Sequence, residues 1–362
     1  MPRSSFTWGS EMTGIMKIIR RVLFVVFVCV LFAAVSEVFI HKGIQGAPIR
    51  DFFANRDDEH YDVLAFGPSY MFFTFNPVEL YRNYGLLSFV PGTSCQPIEV
   101  TYHYIKKALE IYKPKVVIVG ASMFVFSEGQ YLLSDGNAHT AVDCFPRGIE
   151  RARLVFDLNV QSQYENFLFP LIKYHQRWKN LKKGDFTGVP MSANSDKEKM
   201  RLAIRGHLAY FDSTQTGCIQ AIDMAKEKRK PVFEDYLRWL DKISELVSSH
   251  GANLLLLQAP RRGALCDGRL ATLQDYASAR GIPLLNLVEE FDKTSIDNAM
   301  DFYDTGHLNC FGAEKATRYI GKYLMDHYGF TTNHSESVRA RWNADCKRYD
   351  EAKAAAFAAK KK

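Results

Sequence analysis

Asp304 and His307 stand three residues apart in DFYDTGHLNCFG, and Ser69 closes a Gly-x-Ser far upstream in DVLAFGPSYMFF. A serine hydroxyl becomes a useful nucleophile only when a neutral imidazole takes its proton. The imidazole in turn needs a carboxylate to fix its tautomer and to stabilise the imidazolium that forms. Ser69 is therefore the candidate nucleophile, His307 the base and Asp304 the orienting acid. In an Asp-x-x-His turn both side chains can leave one short loop toward the same point. Acyl transfer or ester cleavage is the chemistry such a set performs. Each short pattern recurs by chance, so the elements around it must carry the argument.

Ser69 follows Asp62 to Phe66, an apolar run that predicts a buried strand. Downstream, Asn76-Pro77-Val78-Glu79 predicts a helix start, with Asn76 as N-cap, Pro77 at the first helical position and Glu79 closing a capping box. Ser69 then occupies a strand-to-helix loop at the carboxyl end of a strand, where open α/β sheets bind their ligands. Further strands are expected at Leu86 to Val90, Lys115 to Val119, Asn253 to Leu257 and Pro283 to Leu287. Helices are expected at Pro97 to Tyr112, Val232 to His250, Arg269 to Ala279 and Ala313 to Tyr328, stopped by Lys-Pro or Gly signals where these occur. The alternation predicts an α/β domain built on a parallel sheet of about five strands, covered on both faces.

The pattern breaks between about residues 128 and 231, in a polar insertion rich in Tyr and Phe that contains QYENFLFPLIKYHQRWKNLKKGDF. His175 and Trp178 share one helical face there. They could stack on and hydrogen-bond a sugar ring, or pack the insertion onto the sheet. Lys173, Arg177, Lys179, Lys182 and Lys183 add positive charge that could attract an anionic polymer or merely solvate a helix.

Taken together these blocks resemble the SGNH, or GDSL-like, hydrolase superfamily, and more closely its membrane-anchored branch of cell-envelope acylation. DVLAFGPSYMFFTFNPVELYRNYG is similar to the first block of that branch, with Gly67 and Ser69 in the Gly-x-Ser positions. FVPGTSCQPIEVTYHYIKKALEIYKPKVVIV is similar to the second, with Gly92 in place of the oxyanion-hole glycine, and FYDTGHLNCFGAEKAT to the last, with Asp304 and His307 as triad partners. The resemblance covers about residues 60 to 126 and 232 to 328. It implies a three-layer, flavodoxin-like fold and a membrane-bound O-acyltransferase partner that supplies the acyl group. No cofactor is expected, and although Asp304-x-x-His307-x-x-Cys310 mimics a metal-ligand series, no metal is expected because no second cluster such as Cys-x-x-Cys accompanies it. One block departs: the family often places an asparagine donor after the third strand, whereas this chain has Gly120, Ala121 and Ser122. Ser122 could donate to the oxyanion, or the hole could rely on the backbone amides of Ser69 and Gly92.

The N-terminus sets the compartment. Val22 to Val35 is unbroken apolar sequence and the stretch runs on to Ile40, approaching the ~20 residues that span a bilayer. Lys17, Arg20 and Arg21 precede it, so residues 1–21 are expected in the cytoplasm, 22–40 in the membrane and 41–335 outside as the SGNH-like domain. Ala34-Val35-Ser36 leaves a cleaved signal peptide as the alternative, which exports the domain equally. The net charge of +6 resides in the termini: residues 1–21 carry +3 and residues 336–362 carry +4, leaving the body at −1. That distribution argues against nucleic-acid binding, and the alanine- and lysine-rich tail 336–362 is expected to be solvated. Of seven cysteines, six follow the apolar stretch; Cys95 and Cys310 should approach each other if their blocks line one site.

Three functions follow as expectations. The first is an exported O-acyltransferase working on a wall polysaccharide or teichoic acid through an acyl-Ser69 intermediate. The second is an exported carbohydrate or lipid esterase with the same triad. The third is a non-catalytic envelope scaffold.

Overall fold

A computed structural model describes residues 8–40, 46–55, 59–125, 135–158, 164–187, 200–212, 219–261 and 267–360. Its centre is a five-stranded parallel sheet. Among the described residues the strands are β1 (Val63–Phe66), β2 (Ser88–Phe89), β3 (Val116–Gly120), β4 (Arg201–Ile204), β5 (His207–Tyr210), β6 (Asn253–Gln258) and β7 (Leu284–Asn286). The order across the main sheet is β2-β1-β3-β6-β7, while β4 and β5 form a separate antiparallel hairpin. All five expected strands are present: β1, β2 and β7 are shorter than expected, β3 is shifted one residue forward, and β6 runs one residue further, to Gln258.

The sheet is buried on both faces, which is why its strands read as continuous apolar runs rather than alternating ones. Alternation survives in three dimensions. Leu64, Phe66, Val117, Val119, Leu254 and Leu256 face one core, with helices Ile98–Ile111, Glu234–Ser249 and Asp267–Ser278. Val63, Ala65, Val116, Ile118, Leu255 and Leu257 face the other, with Met71, Phe72 and helix Cys310–Tyr328. Register is fixed accordingly, Val63 pairing with Val116 and Val116 with Asn253; a one-residue slip would exchange the two cores.

Helix Pro77–Tyr84 starts as the sequence predicts, Asn76 Oδ1 accepting from the amides of Val78 and Glu79. The reciprocal half of the capping box is absent. The Asn76 amide donates instead to Thr317 Oγ1 at 2.9 Å, and the Glu79 carboxylate is held by Arg82 and Arg318. A nearby guanidinium offers a carboxylate a stronger bond than a backbone amide does, and two are within reach here.

The tail requires a correction. Residues Glu336–Lys360 form one helix with Trp342, Tyr349 and Ala356 buried. Ion pairs join it to the body, among them Arg205 with Asp345 at 2.6 Å and Lys353 with Glu314 at 2.6 Å. Its composition suggests a solvated tail, but one stripe of this helix belongs to the core.

At the other end, helix Trp8–Phe39 is followed by Ile40, and Gly14–Phe39 is long and apolar enough to cross a membrane or to serve as a signal sequence. Most of it projects from the domain. Its last two turns do not: Ser36 and, just after the helix, Ile40 are buried, Glu37 pairs with Arg147 at 2.7 Å, and Phe32 meets Phe169 edge-on at 6.0 Å.

Candidate active site

β1 ends at Phe66, and Gly67 turns the chain with φ of 143°, a backbone conformation open to glycine but not to a residue with a side chain. Pro68 follows and Ser69 begins a short helix to Thr74. At Gly92, after β2, an added Cβ would lie 2.6 Å from the Gly67 carbonyl oxygen, so only a bare backbone fits beside the turn that presents Ser69. β3 ends alongside, with the Gly120 amide 3.4 Å from where a Cβ on Gly67 would be.

The partners of Ser69 come from a loop closed on itself. Phe302 and Leu308 form an antiparallel bridge, and the Tyr303 amide donates to the His307 carbonyl at 2.9 Å. Asn309 then caps helix Cys310–Tyr328, which begins three residues earlier than its apolar pattern suggests because the cap, not the first apolar residue, sets the start. Inside this loop Asp304 Oδ1 accepts from the Gly306 and His307 amides at 2.8 and 2.9 Å. Asp304 Oδ2 lies 2.8 Å from His307 Nδ1. Across the cleft His307 Nε2 is 2.8 Å from Ser69 Oγ.

The electrostatics are consistent with that arrangement. Burial works against charge on Asp304, but the His307 ring and the two amides outweigh it and hold the carboxyl below its ordinary range. With Asp304 ionised, Nδ1 carries the proton and Nε2 is the acceptor facing the Ser69 hydroxyl.

The ring is also packed. Tyr70 stacks on His307 at 5.0 Å, nearly parallel, and Phe73 lies 4.4 Å away. Tyr303 stacks on Tyr210 of β5 at 3.8 Å, and the guanidinium of Arg261 sits 4.4 Å from the Tyr70 ring centre. Burial pushes the Tyr70 hydroxyl up to about 12, so it stays protonated. From the same hairpin, His207 Nδ1 donates to the Phe72 carbonyl at 2.7 Å. The hairpin thus braces the helix that carries Ser69.

Tyr70, Phe73, Arg261 and the hairpin were not singled out by sequence reasoning. The hairpin had a signal in LAIRGHLAY, where two short apolar runs flank Arg205-Gly206, both with positive φ.

The expected oxyanion donors separate. No described group accepts from the Ser69 amide, whereas the Gly92 amide donates to the Val90 carbonyl at 2.8 Å. Gly92 therefore contributes close approach, with its N–H engaged elsewhere. Ser122 is buried in the turn Ala121–Phe124 at the end of β3. Cys95 and Cys310 are both free thiols, Cys95 exposed and Cys310 buried.

His175 and Trp178 are not gathered with the triad. They lie in the turn His175–Asn180, which packs against the N-terminal helix, and among the described residues no hydrogen bond or ring contact links either to Ser69, Asp304 or His307. His175 Nδ1 bonds the Ile172 carbonyl at 2.7 Å, and Trp178 is 64% exposed.

A comparison with protein-family models finds no match, and a comparison with curated proteins finds none either. The geometry of the site therefore carries the functional argument alone.

Proposed function

We propose that this chain is a serine-dependent acyl-transfer enzyme whose exported domain moves an acyl group, carried on Ser69, to a hydroxyl of a cell-envelope polysaccharide or teichoic acid. The observation behind this reading is the continuous relay Ser69 Oγ to His307 Nε2, and His307 Nδ1 to Asp304, with both links at 2.8 Å. The strand order, numbered within the sheet as 2-1-3-4-5, is that of flavodoxin-like doubly wound folds, and Ser69 follows β1, at the point where the order reverses. This favours the SGNH-like expectation.

In the proposed cycle His307 takes the Ser69 proton as Oγ attacks the acyl carbonyl, and Asp304 stabilises the imidazolium. The Ser69 amide donates to the oxyanion, and Ser122, in the place of the asparagine that the resemblance leads one to expect, adds its hydroxyl. The imidazolium then protonates the leaving group. The acceptor hydroxyl enters and gives its proton to His307 as its oxygen attacks the acyl carbon; the acyl–Ser69 bond then breaks, Ser69 Oγ takes that proton from His307, and the acceptor leaves as its ester. A membrane-bound O-acyltransferase is the proposed donor partner.

An active-site-directed fluorophosphonate tests the premise. It should label the wild-type chain at Ser69, and Ser69→Ala should abolish labelling while circular dichroism stays unchanged. Labelling that persists in Ser69→Ala would place the nucleophile elsewhere, and a wild-type chain that never labels would favour the scaffold. A labelled enzyme that releases only free acid when offered polymer acceptor would be an esterase, since water at about 55 M is outcompeted only by a well-positioned hydroxyl.

A further inference from the structure

Four large apolar side chains on the segment 169–186 point into solvent beside the N-terminal helix: Phe169 at 47% exposure, Ile172 at 47%, Trp178 at 64% and Phe186 at 66%. They belong to Pro170–Tyr174, the turn His175–Asn180, helix Lys183–Thr187 and the junction before them, and these elements pack on the last turns of helix Trp8–Phe39. The attachment is specific. Phe32 meets Phe169, and Arg177 donates to the Phe39 carbonyl while pairing with Asp185 at 2.7 Å. Exposed lysines at 179, 182 and 183 alternate with the apolar side chains.

Depth is what makes this placement informative. If Arg20 and Arg21 mark the near boundary of the hydrocarbon, about 20 residues at 1.5 Å each carry the helix across, to about residue 41. Phe32 then lies only about 16 Å in, and Phe39 about 27 Å in, out of a core of about 30 Å. The segment clamped to residues 32–39 cannot stand clear of the bilayer. It must enter the leaflet opposite Arg21, where water is scarce and exposed apolar surface is no longer a cost. Aromatic rings interleaved with lysines are the composition that settles at the headgroup boundary.

We infer that Phe169, Ile172, Trp178 and Phe186 form a membrane-embedded platform whose occupant is phospholipid: acyl chains against the apolar side chains and headgroup phosphates against Lys179, Lys182 and Lys183. The inference rests on the N-terminal helix being a retained anchor. The platform fixes the domain by a second attachment, so that the carboxyl end of the sheet, where Ser69 lies, is held in one orientation to the bilayer rather than swinging on a single helix.

The full chain reconstituted in phosphatidylcholine–phosphatidylglycerol vesicles tests it, using lipids brominated at shallow or deep acyl positions. Trp178 is one of four tryptophans, and the difference between wild type and Trp178→Phe isolates its emission. The expected result is loss of the Trp178 component, with shallow bromines quenching more than deep ones. An unquenched Trp178 in a chain that resists alkaline carbonate overturns the platform while leaving the anchor intact. Release of the chain by carbonate overturns the anchor, and the platform with it. A photocrosslinker at position 178 that captures a membrane protein in native membranes, with Trp178 unquenched in pure lipid, would make this face a protein-docking surface and refute the lipid assignment.

Discussion

The insertion between β3 and β6 has two parts that do opposite things with aromatic side chains. Around Ser69 the hairpin Arg201–Tyr210 turns its rings inward: Tyr210 stacks on Tyr303 and Phe73, and the buried His207 holds the Phe72 carbonyl. Beside the N-terminal helix, Phe169, Trp178 and Phe186 turn outward. Inward rings leave helix Ser69–Thr74 and the His307 loop little freedom, which is the preorganisation that the proposed acyl transfer requires. Outward rings, apart from the edge of Phe169 that meets Phe32, leave most of their surface free of the domain, and the proposed platform gives that surface its partner. The same residue types, within one insertion, therefore serve packing in one place and, in the proposed platform, attachment in the other.

The sharpest way to break this contrast is to disturb the packing around Ser69 without touching the triad. Gly92→Ala would place a methyl group 2.6 Å from the Gly67 carbonyl, where backbone rather than a flexible side chain must move. A displacement of Ser69 by a fraction of an ångström to an ångström would lengthen its bond to His307. We expect kcat/KM on a small activated ester to fall by about a hundredfold, with fluorophosphonate labelling slowed in parallel. Wild-type kinetics in Gly92→Ala would mean that this edge tolerates looseness and that the packing around Ser69 is incidental.

A gentler probe is pH. Burial drives the His207 ring down to about 4, with the bond to the Phe72 carbonyl opposing it only in part. An unfolded histidine titrates near 6.5, so between about 6.5 and 4 the unfolded chain holds the extra proton. The contribution of neutral His207 is complete above that window and is lost as pH falls through it, by up to about 3 kcal/mol in total. Denaturant midpoints of the detergent-solubilised chain, compared with those of His207→Asn, should run parallel above pH 7 and converge below 6. Curves that stay parallel to pH 4 would show that the hairpin is not sealed.

Much of the sheet and of the Ser69–His307–Asp304 arrangement was legible in the sequence because its signals are local. Apolar runs bounded by Gly and Pro gave the five strands, Asn76-Pro77 gave a cap, and Asp304-x-x-His307 needed only one short loop to close. The hairpin was hidden because each of its strands is four residues long and sits in polar surroundings. Tyr70 and Phe73 were hidden because rings that pack on an imidazole carry no spacing rule across distant loops. The C-terminal helix was misread from composition, although Trp342, Tyr349 and Ala356 recur every seven residues, a stripe that predicts one buried face. His175 and Trp178 share a helical face as read; which way it looks depends on the N-terminal helix, which no local pattern reveals.

The smallest expected effect lies in the outward half and is the most discriminating. If Trp178 stacked on an acceptor sugar, Trp178→Ala would cut polymer acylation in any medium. If it meets lipid, detergent replaces the bilayer around it and the substitution touches no reacting group. We expect Trp178→Ala in detergent to change small-ester hydrolysis and polymer acylation each by less than about twofold, as for exposed positions in general. Reconstituted into vesicles, the same variant should lose orientation, read as a weaker dependence of acylation on acceptor tethered to the membrane surface. A large loss of polymer acylation in detergent would move Trp178 into the acceptor groove, and the two halves of the insertion would then share one task.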